Sequence, residues 1–102
     1  MASEQTQLIF ELPAVLDLKA APPLAERLRA LRGAALTLDA GRVEWLGGQC
    51  LQVLLAAAQS WRADGAALRL AGVTAEFCDG LKRLGVTPAE LSGAEMEMEM
   101  EP

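Results

Sequence analysis

Apolar residues recur along this chain with two spacings, and each change of spacing marks an element boundary. Residues 6–12 form an apolar run containing the β-formers Leu8, Ile9 and Phe10 and closed by Pro13. Residues 15–18 form a second short run, expected to pair with the first as a hairpin partner. Pro22 and Pro23 then open a helical stretch in which Leu24, Leu28 and Leu31 share one face, Glu26, Arg29 and Arg32 lie opposite, and Gly33 is the stop. Residues 35–39 are short and apolar, as in a buried strand, and hand the chain to a loop over residues 40–48. A long helix follows Gly47 and Gly48, with Leu51, Leu54, Leu55, Ala58 and Trp61 on one face and Gln52, Gln59 and Arg62 on the other. Asp64-Gly65 turns it into a strand over residues 66–71, and Gly72 and Thr74 lead into a third helix carrying Phe77, Leu81 and Leu84, with Gly85 as its stop. Thr87-Pro88-Ala89-Glu90 has the capping-box order of one more helical turn.

Strand, strand, helix, strand, helix, strand, helix is the order that results. Strand–helix–strand crossovers require parallel strands, so the expected fold is α/β, a single domain with a central, mostly parallel sheet of about four strands and three to four helices covering it. Loops at the carboxyl ends of such strands are the natural working surface, which directs attention to residues 40–48.

Composition narrows the chemistry. A chain of 102 residues that is 52% hydrophobic fits one core, burying roughly 60 to 70% of its unfolded surface. Histidine and tyrosine are both missing, which removes Ser/His/Asp triads, Cys/His dyads and His-ligated zinc together. Cys50 and Cys78 stand far apart in a chain without a secretory leader, so reduced thiols, no metal and a cytoplasmic location are expected. The longest uncharged run, residues 45–61, holds three glutamines, a serine and two glycines, a poor candidate for membrane insertion. Glu95, Glu97, Glu99 and Glu101 supply four of the fourteen acids; without them ten acids face nine bases. A nearly neutral body with four aromatic residues gives nucleic acid neither a basic footprint nor a stacking platform. The alternating Met and Glu of the tail would line up like charges on one face, so residues 93–102 are expected to be a disordered acidic tail.

The layout, and above all Leu38-Asp39-Ala40-Gly41-Arg42-Val43-Glu44-Trp45-Leu46-Gly47-Gly48-Gln49-Cys50-Leu51-Gln52-Val53-Leu54-Leu55, resembles the STAS domain, the sulfate transporter and anti-sigma factor antagonist fold, over residues 6–92. Leu16-Asp17, Asp64-Gly65 with Leu68-Arg69-Leu70, and Phe77 through Gly85-Val86 match further pieces of that pattern. The resemblance implies a non-catalytic, cofactor-free bacterial regulator that docks on a protein partner through this loop and the start of the central helix. The partner it implies is an anti-sigma-type kinase or a sensory-complex component, in a chemotaxis or two-component setting. An alternative role in the same family is accessory subunit of an ABC-type lipid transporter, gripping the ATPase. Partner-switching members carry aspartate-serine-serine-glycine in the loop and are phosphorylated on the second serine. Here Gly47-Gly48-Gln49-Cys50 occupies those positions, and Gln49 has no hydroxyl to accept a phosphate and its about −1.5 to −2 charges. The expected partner-binding residues are Trp45, Gly47, Gly48, Gln49 and Gln52, with no phosphoacceptor.

Several of these residues also admit a plain structural role. Gly47 and Gly48 either bare a helix start to a partner carboxylate or simply form the turn. Cys50, near that start, is either a thiolate redox sensor or a small residue packed beneath the helix. Trp61 continues the apolar stripe and belongs to the core, whereas Trp45 is the candidate for an exposed anchor. An enzyme using Asp17 and Asp39 lacks an evident partner for either carboxylate, and Asp39 is placed to end its strand.

Overall fold

The structure, a computed structural model, describes residues 8–91; the expected acidic tail lies outside them. Three strands, β1 (Leu8–Glu11), β3 (Leu36–Asp39) and β5 (Leu68–Ala71), form a parallel sheet in the order β1-β3-β5. Register sets Leu8 beside Leu36 and Leu68, and Phe10 beside Leu38 and Leu70. These six line the inner face, and the four in β3 and β5 are buried. The alternate residues, Ile9, Thr37 and Arg69 with Glu11, Asp39 and Ala71, lie on the opposite face, where none is buried. The helical cover therefore lies on one face, and the alternation is that of a half-buried sheet.

Among the described residues four helices accompany the strands: α1 (Ala21–Ala30), α2 (Gly48–Asp64), α3 (Ala75–Leu84) and α4 (Pro88–Leu91). α1 opens on Pro22 and Pro23 and buries Leu24 and Leu28. α2 buries Cys50, Leu51, Leu54, Ala57, Ala58 and Trp61, with Leu55 only half-buried at the margin of the stripe. Gly65 ends α2 in the left-handed region at φ 72°, a conformation nearly free of cost only to glycine. The Trp61 indole N–H donates to the Ala34 carbonyl at 2.8 Å, so the largest core side chain leaves no polar atom unpaired. Thr74 caps α3, accepting from the Phe77 N–H at 3.0 Å and donating to the Val43 carbonyl at 2.9 Å, which ties that helix to the loop after β3.

Two expectations need correction. Residues 15–18 do not form a hairpin with β1; β2 (Val15–Leu16) pairs in parallel with β4 (Trp45–Leu46), Val15 beside Trp45 and Leu16 beside Leu46. Leu12 continues the β1 ladder by donating to the Asp39 carbonyl at 2.9 Å, so the chain still runs along β3 when it reaches Pro13. Chain direction is thus kept, and β2 meets the segment after β3 instead. The loop over residues 40–48 accordingly contains a strand, β4, making five strands in two parallel sheets among the described residues. At the last helix, Glu90 reaches back to the Thr87 N–H at 3.4 Å as expected, but the Thr87 hydroxyl donates to the same carboxylate at 3.2 Å.

Candidate functional site

The site grows from the β2-β4 ribbon. In a two-residue parallel pair, one row of side chains faces in and the other out. Leu16 and Leu46 are fully buried, so Val15 and Trp45 are turned outward, 47% and 48% exposed. Asp17 follows β2 and accepts the Ala20 N–H at 3.1 Å, capping the short 3-10 turn Leu18–Ala20, whose Leu18 is 67% exposed. Three apolar side chains are thus presented from the ribbon and the turn next to it.

α3 holds the ribbon in place. Arg83 donates to the Leu46 carbonyl at 2.8 Å and lays its guanidinium 4.4 Å from the Trp45 ring centre, a cation–π contact that orients the indole while leaving half of it exposed. A Cβ at Gly80 would meet the Leu46 Cβ at 2.8 Å, so α3 reaches β4 only because that residue is glycine.

Gly47 joins the ribbon to α2. Its N–H donates to the Leu16 carbonyl at 2.9 Å, and a Cβ there would stand 3.2 Å from the same oxygen. Close approach is therefore a property of Gly47, whereas a Cβ at Gly48 would meet nothing within 4 Å. No side chain caps α2, and its first backbone bond of the helical ladder runs from Leu51 N–H to the Gly47 carbonyl at 3.1 Å. The N–H groups of the opening turn have no intrahelical acceptor and carry the positive end of the helix dipole. Gly48 and Gln49 lie on the first turn and Gln52 opens the second, Gln49 and Gln52 exposed, and Gly47 lies at the entry of the helix. The structure places Trp45, Gly47, Gly48, Gln49 and Gln52 around one strand-to-helix junction.

Cys50 is buried beneath this turn, and its thiol donates to the Asp17 carbonyl at 3.3 Å. Burial first, and the Asp17 charge second, push its pKa up. A neutral, buried thiol is a weak nucleophile, so Cys50 is the packed residue rather than the thiolate sensor. Asp39 ends β3 by accepting the Gly41 N–H at 2.9 Å, and Trp61 is a core residue at 1% exposure. Among the described residues no three of His, Cys, Asp and Glu gather as a metal site.

Sequence reasoning missed Val15, Leu18 and Arg83. The burial of Leu16 implies an outward Val15 by strand alternation, a signal legible once β2 is recognised as half-buried. Nothing local announces Arg83, because its partner Leu46 is 37 residues away in the chain.

The family model described as "Mlab, STAS domain" matches residues 2–91, and the chain belongs to the STAS family. STAS domains are generally non-catalytic and are linked to anti-sigma antagonists or transporters. No curated protein and no solved structure matches the chain. Among the described residues no helix is long and apolar enough to cross a membrane.

Proposed function

We propose that this chain is a non-catalytic, cytoplasmic regulatory module of a bacterial signalling complex, docking on a protein partner through Trp45, Gly47, Gly48, Gln49 and Gln52 without phosphorylation at Gln49. The observation that carries this reading is the half-exposed Trp45, held by Arg83 beside an uncapped helix start. An oriented aromatic next to free N–H donors suits a partner that brings an apolar side chain and an acceptor together. Val15, beside Trp45 in the ribbon and likewise turned outward, extends the apolar part of that surface. A second reading, accessory subunit of an ABC-type lipid transporter, is favoured by one feature: residues 41–59 contain no serine or threonine. A surface without a hydroxyl suits attachment that is never broken by a kinase.

The test is titration of the wild type, Trp45→Ala and Gln49→Glu against the protein that co-purifies from the native cell. Gln49→Glu keeps the shape but exchanges an amide, donor and acceptor together, for a charged acceptor. Both substitutions are expected to weaken binding at least about tenfold, the equivalent of about 1.4 kcal/mol, with unchanged melting midpoints. Equal affinities for all three folded chains move the docking surface elsewhere. A kinase or response regulator as the partner supports signalling, and a transport ATPase supports the second reading.

A further inference from the structure

We propose that the cavity at the carboxyl end of β1 is a binding site for a small organic monoanion, a carboxylate carried on an apolar body. Between the end of β1, the link that follows it and α1 lies a cavity of about 560 Å³, within the range of small-molecule sites, about 300 to 1,000 Å³. Leu12 and Leu24, both buried, are its innermost walls, and Pro13 and Pro23, both exposed, stand at its rim. A proline ring fixes its own backbone, so the rim is stiff, and a preformed wall reduces the ordering that binding costs. The cavity also opens at the carboxyl edge of a parallel sheet, where ligands of open α/β sheets are seated.

Charge decides the class of ligand. Arg42 lines the cavity and meets Glu11 at 3.5 Å, with both side chains more than half exposed, a loose pair of little energetic weight. Arg27 lines it too, its guanidinium 5.6 Å from the Phe10 ring centre, and among the described residues no carboxylate lies within ion-pair distance of it. Stacking on Phe10 holds this unclaimed charge where the apolar wall meets water. Two arginines against one glutamate leave a single net positive charge around an apolar cavity. A cation is repelled there, a neutral molecule gains only the burial of its apolar part, and a phosphate monoester of about −1.5 to −2 charges meets Glu11 as well as the arginines. A carboxylate matches both the single charge and the planar donor fork of a guanidinium. The cavity is separate from the Trp45 junction but shares one wall with it. Ala14 lines the cavity, and its carbonyl accepts the Glu44 N–H at 2.7 Å and the Trp45 N–H at 3.2 Å, so a ligand beside Ala14 is felt in the backbone of β4.

The experiment is a titration of the isotope-labelled full chain, followed by NMR at neutral pH, with three probes that share one apolar body: octanoate, octanol and octylammonium. Octanoate is expected to bind saturably with a Kd of about 0.1 to 3 mM, shifting the amides of Phe10, Leu12 and Ala14, the Arg27 side-chain N–H and the Trp45 amide. Octanol is expected to bind at least about fivefold more weakly, the loss of one charge-assisted contact, and octylammonium more weakly still. Arg27→Gln, at an exposed position of α1, is expected to raise the Kd for octanoate at least about fivefold and to leave that for octanol unchanged, a split that loss of structure does not produce. The comparison of probes needs no variant, so a misfolded substitution leaves the proposal falsifiable, and no partner protein enters, so failure of the Trp45 docking surface does not bear on it. Absence of a saturable shift, octanol binding as tightly as octanoate, or Arg27→Gln weakening both alike overturns the proposal. So do shifts centred on Ala57 and Ser60, which place the probe between α1 and α2 instead.

Discussion

Cys50 shows how one buried atom sets a measurable property. Its thiol is held under α2 and donates to the Asp17 carbonyl, and both burial and the nearby carboxylate disfavour the thiolate. A folded pKa raised above the unfolded value means that the native state keeps its proton where the unfolded chain has lost it. The stabilisation is complete below the ordinary thiol pKa of about 8.5 and is lost as pH rises through the folded value. The denaturant midpoint is therefore expected to fall between neutral and alkaline pH, and Cys50→Ala to flatten that slope whatever it does to the midpoint itself. An unchanged slope in the variant places the alkaline sensitivity elsewhere. Two glycines make an opposite pair at the same scale. A Cβ at Gly80 collides with Leu46, whereas one at Gly48 meets open space. Gly80→Ala is expected to destabilise by about 1 to 3 kcal/mol, because overpacking at a Cβ outweighs the helix-propensity gain of about 0.5 to 1 kcal/mol. Gly48→Ala keeps that gain, so its melting midpoint holds or rises.

Among the elements, α2 supplies the longest buried stripe, and its Leu54 is fully buried. Leu54→Ala is expected to cost about 2 to 5 kcal/mol by chemical denaturation, and a loss under about 0.5 kcal/mol, the scale of a surface change, contradicts the placement of that face. α2 is also the most legible element, since its stripe of Leu51, Leu54, Ala58 and Trp61 repeats along the helix and Gly65 ends it with a backbone that few residues adopt. The β2-β4 ribbon is the least legible. Two-residue strands carry no periodicity, and a tertiary meeting creates them: the Ala14 carbonyl accepts from Glu44 and Trp45, and the Leu16 carbonyl accepts from Gly47. The same difference divides the site. Trp45 and Gln49 are visible from the loop's position after β3, but the guanidinium that orients Trp45 comes from α3, and no spacing within a segment encodes a contact between elements so far apart in the chain.

At the scale of the whole molecule, the one-sided sheet needs its helices to close a single core from one direction. The buried set runs from Leu12 and Leu16 through Leu38, Leu54 and Trp61 to Phe77, Leu81 and Leu91, so it is contributed by both ends of the described chain. Leu91, on the last turn of α4, is 1% exposed, and α4 packs against α2 and β5. Among the described residues the core ends at Leu91, and the run of alternating methionine and glutamate begins at Glu95. One truncation and one substitution separate the closure of the core from the contribution of the tail. A chain ending at Ala94 keeps every buried residue just named and is expected to melt within a few degrees of the full chain, since a shift of that size corresponds to less than about 1 kcal/mol in a domain of this length. Replacing Leu91 by Ala in the full chain leaves the tail intact but opens a cavity between α4, α2 and β5, and is expected to cost about 2 to 5 kcal/mol, a fall of about 10 °C or more. The order of the two midpoints is the decisive reading. If truncation after Ala94 lowers the midpoint as far as Leu91→Ala does, residues beyond 94 are part of the closure, and the boundary of the STAS domain lies nearer the end of the chain than the family match at residue 91 places it.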